Sequence, residues 1–246
     1  YFGEQTSQWV LVNTSLGEID YPEGEKNVYT HYKGKGGIQL SSFFRRAVFA
    51  WKMWSKDLLV NTYATRESRI MYDRTITKVA QKIAPFLILD KDPYLVITTE
   101  GKLYWIIDAM VASTYFPHSK PVGEFNYVRN SVKITIDAYD GSFNAYIFDE
   151  DDPIIRAYAN IYPGVFKPKS AMPKDLKAHA RFSEDYFLLL AEVYKTYHME
   201  DPHVFYNKED LWATAKETIE VEQSPVDVAP YYIFFPFPAN FKTIRN

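Results

Sequence analysis

Six acidic residues in one short stretch are the first place to look for chemistry: Asp137 and Asp140, then Asp149, Glu150, Asp151 and Asp152. Clustered carboxylates suit two tasks. They supply the oxygen ligands a calcium ion needs, or, in pairs, the donor and acceptor of general acid–base catalysis. The spacing departs from the calcium loop, in which acids alternate ahead of a glycine. Asp137 and Asp140-Gly141 fall at a turn between two strand-like runs, and the later acids lie a strand length away. The plainer reading is a hairpin turn followed by the charged start of a helix, where the helix dipole alone favours negative charge. No metal site is read from them; Asp137, Asp140, Asp151 and Asp152 are the residues that would supply one. No catalytic residue is assigned, and the sequence calls for no cofactor.

Other chemistry-bearing residues lack a working pattern. His198 and His203 are five apart with Asp201-Pro202 between them, whereas a helical zinc pair needs four on a continuous turn. With His179 they read as partners of helix ends or hydrogen-bonded edges of a core. Ser41, Ser42, Ser113 and Ser131 all stand outside the Gly-x-Ser-x-Gly elbow that exposes a nucleophile. Gly34-Lys-Gly-Gly37 lacks the spacing and the Lys-Ser or Lys-Thr ending of a phosphate loop. Asp90, Asp92 and Asp108 are further scattered acids of the kind common in strands and loops.

The elements that carry these residues follow from periodicity. Val132, Ile134 and Ile136 alternate with Lys133, Thr135 and Asp137, and Phe143–Phe148 continues the period of two. Asp140-Gly141 between them predicts a two-residue hairpin turn. Asp149–Asp152 then ends the strand, and Pro153 occupies the first turn of a helix running to about Ile161. Pro93–Thr99 and Leu103–Thr114 form a second hairpin around Glu100-Gly101. Upstream, Gln8–Asn13 reads as a strand and residues 17–37 as a long loop.

Leu40, Phe44, Ala47, Val48, Trp51, Trp54 and Leu58 recur at three and four, a wide apolar helix stripe that Ser41 or Ser42 caps. Further helices are predicted over Asp73–Ala84, stopped by Pro85, and Ser183–Met199, with a helical turn around Leu211–Glu217 and a last strand at Tyr231–Phe235. Hairpins followed by helices give an α+β fold, an antiparallel sheet of hairpins packed with several helices. The stretches 115–130 and 163–173 are the alternative lobe boundaries within one region spanning 1–246.

Composition narrows the classes. A formal charge of -3 provides no basic field for nucleic acid. The absence of cysteine excludes a disulfide framework and cysteine-rich zinc sites. No run reaches the roughly 18 to 20 apolar residues that span a bilayer. Aromatics make up 17% of the chain, which suits half-exposed sheets and, more sharply, platforms for sugars or peptides. Beginning at Tyr1 without Met or a signal-peptide pattern, the chain reads as a soluble piece of something longer.

Several phrases occur together in order: VLVNT at Val10–Thr14, EIDYP at Glu18–Pro22, the helix Ile38–Trp54, and Asp92–Val96. The strongest are NYVRNSVK at Asn126–Lys133, DAYDG at Asp137–Gly141 and DPII at Asp152–Ile155. Tyr197-His198, Asp201-Pro202 and Val204–Asn207 complete the series. Over nearly its whole length the chain resembles the large soluble region of a bacterial multi-pass membrane protein family, uncharacterised protein family zero-one-eight-two. Phe182 departs from the tyrosine usual there. The resemblance implies membrane helices outside this sequence, through which the region would sit at the cell membrane on its extracytoplasmic side. It carries no catalytic residues with it. The expected function is a non-enzymatic extracytoplasmic domain that binds a cell-envelope or protein ligand. The alternative is a cell-envelope hydrolase or transferase using paired carboxylates near Asp137, Asp140 and Asp152.

Overall fold

By its internal contacts the chain falls into two units, residues 1–181 and residues 182–246. The computed structural model describes residues 1–5, 8–218 and 225–233. The first unit opens with strand β1 (Val10–Val12), the hairpin β2 (Glu18–Glu23) and β3 (Lys26–Thr30), and the short β4 (Ile38–Gln39). Helices α1 (Phe43–Lys52) and α2 (Asp57–Val60), strand β5 (Arg69–Met71) and helix α3 (Ile76–Ile83) follow. Then come β6 (Ile88–Leu89), β7 (Tyr94–Ile97), β8 (Leu103–Ser113), β9 (Tyr127–Asp137) and β10 (Phe143–Ile147). Helix α4 (Pro153–Ile161), β11 (Phe166–Pro168) and α5 (Lys174–Ala178) complete this unit. Both expected lobe boundaries lie inside it.

The main sheet has the order β11-β10-β9-β8-β6, with β7 also paired to β8. All pairings are antiparallel except β10 with β11, so the α+β assignment stands with one parallel edge. Strands β8 and β9 form its long spine, with Ile107 opposite Ile134 and Asp108 opposite Lys133. The period of two sends Ile107, Ala109, Ile134 and Ile136 to one face, where Ile76 and Ala80 of α3 and Ile155 of α4 close the core. On the other face Ile106 and Tyr146 pack with Met172 and with Leu176 of α5. A smaller sheet, β1-β5-β4, supports α1 through Leu40, Phe49, Ala50, Leu58 and Ile70.

Local signals place most of these boundaries. Ser42 caps α1 by accepting from the Arg45 N–H, and Asp152 caps α4 with Pro153 at the first helical positions. The loop between β9 and β10 is longer than the expected two residues. Asp137 N–H donates to the Ser142 carbonyl at 3.0 Å, so residues 138–141 form the loop and only Gly141 has positive φ, +76°. A first central residue at negative φ is incompatible with the tight turn predicted from Asp140-Gly141.

Two other expectations change. Residues 17–37 contain the β2–β3 hairpin, whose mostly exposed strands lack the apolar alternation that marks a strand. The helix expected through Leu58 breaks at Trp54, where φ is +49°, into α1 and α2. Its predicted stripe also splits: Leu40 and Leu58 are buried, whereas Phe44, Val48, Trp51 and Trp54 are exposed. Phe49 and Ala50 supply the buried face of α1 instead.

The second unit contains α6 (Glu184–Tyr197), α7 (Pro202–Asn207), β12 (Lys216–Thr218) and β13 (Pro225–Asp227). Ser183 caps α6 by accepting from Tyr186 N–H at 3.0 Å, and Asp201 caps α7 through His203 N–H at 2.8 Å. The turn expected around Leu211–Glu217 is extended instead, since Lys216 begins a strand that pairs with β13. Tyr231–Ile233 is neither helix nor strand, and the remainder of that expected strand lies outside the described residues.

Candidate functional site

A cleft of about 740 Å³ opens in the first unit, lined by Gln8, Trp9, Lys52, Tyr72, Asp73 and Lys82. Four segments build it: the run into β1, the last residue of α1, the link from β5 to α3, and α3 itself. Trp9 and Tyr72 are anchored because their inner edges pack on the core under α1. Arg74 donates from Nη1 to the Gln8 carbonyl at 3.1 Å and from Nε to the Tyr1 carbonyl at 2.7 Å, which pins the first wall.

Lys52 Nζ lies 4.3 Å from the centre of the Tyr72 ring, a cation held over an aromatic face. Lys82 is ion-paired with Asp73. Asp73 has φ +50°, a left-handed conformation that aspartate tolerates better than bulkier residues. The cleft thus offers two ammonium groups against one carboxylate, beside aromatic walls and an amide. That chemistry suits an anionic ligand with a flat or sugar-like body, because aromatic faces take apolar ring surface and lysines take negative charge.

The acidic candidates lie elsewhere and are occupied. Asp137 accepts from the N–H groups of Tyr139 at 2.7 Å and Asp140 at 3.1 Å, and Asp140 accepts from Ser142 N–H at 2.9 Å. Asp152 is 2% exposed and accepts from Ile154 N–H at 2.9 Å, Tyr127 Oη at 2.8 Å and Ser131 Oγ. Burial first, and then the Asp152 hydrogen bond and charge, push the Tyr127 phenol up to about 12. Asp151 is exposed beside Asp149, whose carboxylate accepts its N–H at 3.3 Å.

Asp137 and Asp140 therefore share one loop, while Asp151 and Asp152 share the start of α4. Ser131 and Asp137 mark the two ends of a β9 span roughly 20 Å long at ~3.4 Å per residue. Carboxylates that work on one glycosidic bond stand only ~5–10 Å apart. Among the described residues no group of three or more His, Asp or Glu is gathered where it could hold a metal ion.

The remaining sequence candidates find structural partners. The carbonyls of Lys35, Gly36 and Gly37 converge on the Arg69 guanidinium at 2.7–2.9 Å. A phosphate loop would turn its N–H groups toward a ligand, but here Gly36 N–H donates to Tyr32 Oη at 2.9 Å. In the second unit His198 Nδ1 lies 3.1 Å from the Tyr194 carbonyl, which can only accept, so Nδ1 carries a proton. The His198 ring stacks on Trp212 at 4.0 Å, with Nε2 3.6 Å from Asp210. His179 sits 3.9 Å from Asp175 in the first unit.

Sequence reasoning missed one polar centre. Asp108 and Lys133, directly opposed on β8 and β9, form an ion pair with side chains 3% and 7% exposed. Asn130 Nδ2 donates to Asp108 at 3.1 Å, and Lys133 also reaches the Arg181 carbonyl at 2.6 Å. The signal was an acid inside the apolar run LYWIIDAMVA, facing a lysine in the neighbouring alternation.

Comparison with known proteins gives one family. The model of an uncharacterised protein family, UPF0182, matches residues 1–243. A "UPF0182 protein" of Sulfurovum sp. (strain NBC37-1) is 48% identical over 244 residues, covering 97% of this chain and 26% of that protein. A relative of the same description from Desulforamulus reducens is 46% identical over 240 residues, covering 97% of this chain and 26% of its own length. A third, from Pelotomaculum thermopropionicum, is 44% identical over 243 residues and is likewise covered to 26%. The chain thus spans about a quarter of the relatives it matches. No solved structure matches it.

Proposed function

As the chain belongs to the uncharacterised protein family UPF0182, we propose that it is a non-enzymatic binding region of a larger, multi-pass bacterial membrane protein. In this reading it lies on the extracytoplasmic side and takes an anionic cell-envelope ligand in the cleft between Trp9 and Lys82. The observation that carries it is the cleft's chemistry: aromatic walls, Lys52 and Lys82, and one carboxylate already paired with a lysine. A hydrolase or transferase of the paired-carboxylate kind would need two convergent carboxylates, and among the described residues lining the cleft Asp73 is the one carboxylate. The rest of the relatives' length leaves room for membrane segments, while no helix of the described residues is long and apolar enough to cross a membrane.

Thermal unfolding in the presence of anionic cell-wall saccharide fragments tests the binding claim. A ligand at a hundredfold excess over its Kd raises Tm by about 5–10 °C in a chain of this size. The Lys52→Ala/Lys82→Ala variant should lose that rise. No stabilisation by any anionic fragment, or an equal rise in the variant, would discard the cleft as the site. The extracytoplasmic placement is tested separately, by cleavage of a protease site inserted in the β2–β3 turn of the full-length protein in intact cells.

A further inference from the structure

Helix α1 has three sides. At 3.6 residues per turn, Phe49 and Ala50 face the core, with Met53 and Arg46 half-buried beside them. Phe44, Val48 and Trp51 occupy a contiguous opposite arc, with Phe43 exposed at the helix start, and Phe44 and Trp51 are each 76% exposed. Trp54, 89% exposed, and Val60, 73% exposed, extend this apolar surface past the end of α1. Arg45 and Lys52 lie on the edge between the two arcs, and Lys56 follows in the connection to α2; all three are exposed.

The sequence leading into this surface carries charge of one sense over a long stretch. From Lys26 to Lys56 the sequence contains Lys26, Lys33, Lys35, Arg45, Arg46, Lys52 and Lys56 and no Asp or Glu, in a chain whose net charge is -3. Asp57, at the start of α2, is the first acid to follow. Such an excess was invisible in the overall balance.

We infer that the outer face of α1 and α2 docks on a lipid bilayer carrying anionic headgroups. Phenylalanine and tryptophan on one arc, with arginine and lysine along its edge, is the pattern of a helix lying in the membrane interface. Tryptophan favours headgroup depth, and each basic residue near an anionic surface adds attraction. A protein partner fits less well, since lysine is depleted at such interfaces and the apolar side chains form a convex ridge on a helix. This docking goes beyond the ligand reading of the cleft and stands without it, because Phe44, Trp51, Trp54, Arg45 and Lys56 are not cleft residues.

Flotation of the 246-residue chain with vesicles tests it. The chain should float with phosphatidylglycerol-containing vesicles and bind pure phosphatidylcholine at least ~10-fold more weakly. Trp51→Ala/Trp54→Ala should lower binding to the anionic vesicles at least ~10-fold by removing apolar insertion. Arg45→Glu/Lys56→Glu should do the same by charge alone, and added salt should weaken the wild-type chain. All substituted side chains are exposed, so unchanged circular dichroism and urea midpoints verify that the variants are folded. Absence of flotation on anionic vesicles, or flotation that neither variant reduces, overturns the inference. So does a dimer in sedimentation that Trp51→Ala/Trp54→Ala abolishes while vesicle binding persists, since a second copy would then own the surface.

Discussion

Asp108 and Lys133 face each other from adjacent strands with almost no solvent, and each is the other's buried ion-pair partner. Removing one partner strands the other, whereas replacing both with apolar groups removes the debt of desolvation as well. Asp108→Ala should therefore lower unfolding free energy by about 3–5 kcal/mol in urea titrations, and Asp108→Leu/Lys133→Met should recover most of that loss. Tyr127 supplies a pH test. Its folded pKa of about 12 exceeds the ordinary value of 10, so its contribution is complete below pH 10 and is lost as pH rises toward 12. The Tyr1 phenol, also raised to about 12 by burial and by Glu18, acts in the same window. Urea midpoints of Tyr127→Phe should consequently fall less steeply from pH 10 to pH 12 than those of the wild-type chain; equal slopes would remove Tyr127 from the account. Asp152 was legible as a cap because capping is a local rule, with Pro153 next to it. Its pairing with Tyr127 and Ser131 was not, since nothing within α4 announces a partner on β9.

At the scale of elements, glycine shows which constraint belongs to space and which to backbone. A Cβ on Gly36 would lie 2.3 Å from the Asp140 carbonyl oxygen and 2.9 Å from Tyr32 Oη, so the Gly34–Gly37 loop can close on the β9–β10 loop only without a side chain. Gly24, at φ +62° in the β2–β3 turn, has nothing within 4 Å of that position. Gly36→Ala should accordingly cost about 1–3 kcal/mol from overpacking, and Gly24→Ala about 1 kcal/mol from its left-handed backbone alone. Chemical denaturation of the two variants separates these outcomes. Helix α1 marks the limit of periodicity as a guide. Its residues are apolar on two arcs, and the three–four spacing cannot say which arc meets β4 and β5. The strands β8 and β9 posed no such choice, because both their faces are covered and their alternation matches the pleat.

For the whole molecule, the distribution of the core decides which parts hold longest. Among the described residues, the four clusters of buried apolar side chains draw on residues 1–181, and β8 and β9 form the centre of the largest. Helix α6 contains no fully buried residue despite its length and good cap. Native-state hydrogen exchange should therefore find the slowest amides in β8 and β9 and much faster exchange in α6. Protection in α6 equal to that of β9 would contradict this ordering. The α+β class was readable because each hairpin writes itself in a few consecutive residues, whereas the cleft draws Trp9, Lys52, Tyr72 and Lys82 from four separate segments that only the fold brings together. Strand β11 ends the main sheet with Phe166-Lys-Pro168, and Pro168 has no N–H to offer a further strand. Together with the exposed Lys167, it blunts one rim of the sheet against strands from other molecules. A chain with 20 tyrosines and 17 phenylalanines can then be packed densely on a surface while its sheet stays unspliced to its neighbours' on that side.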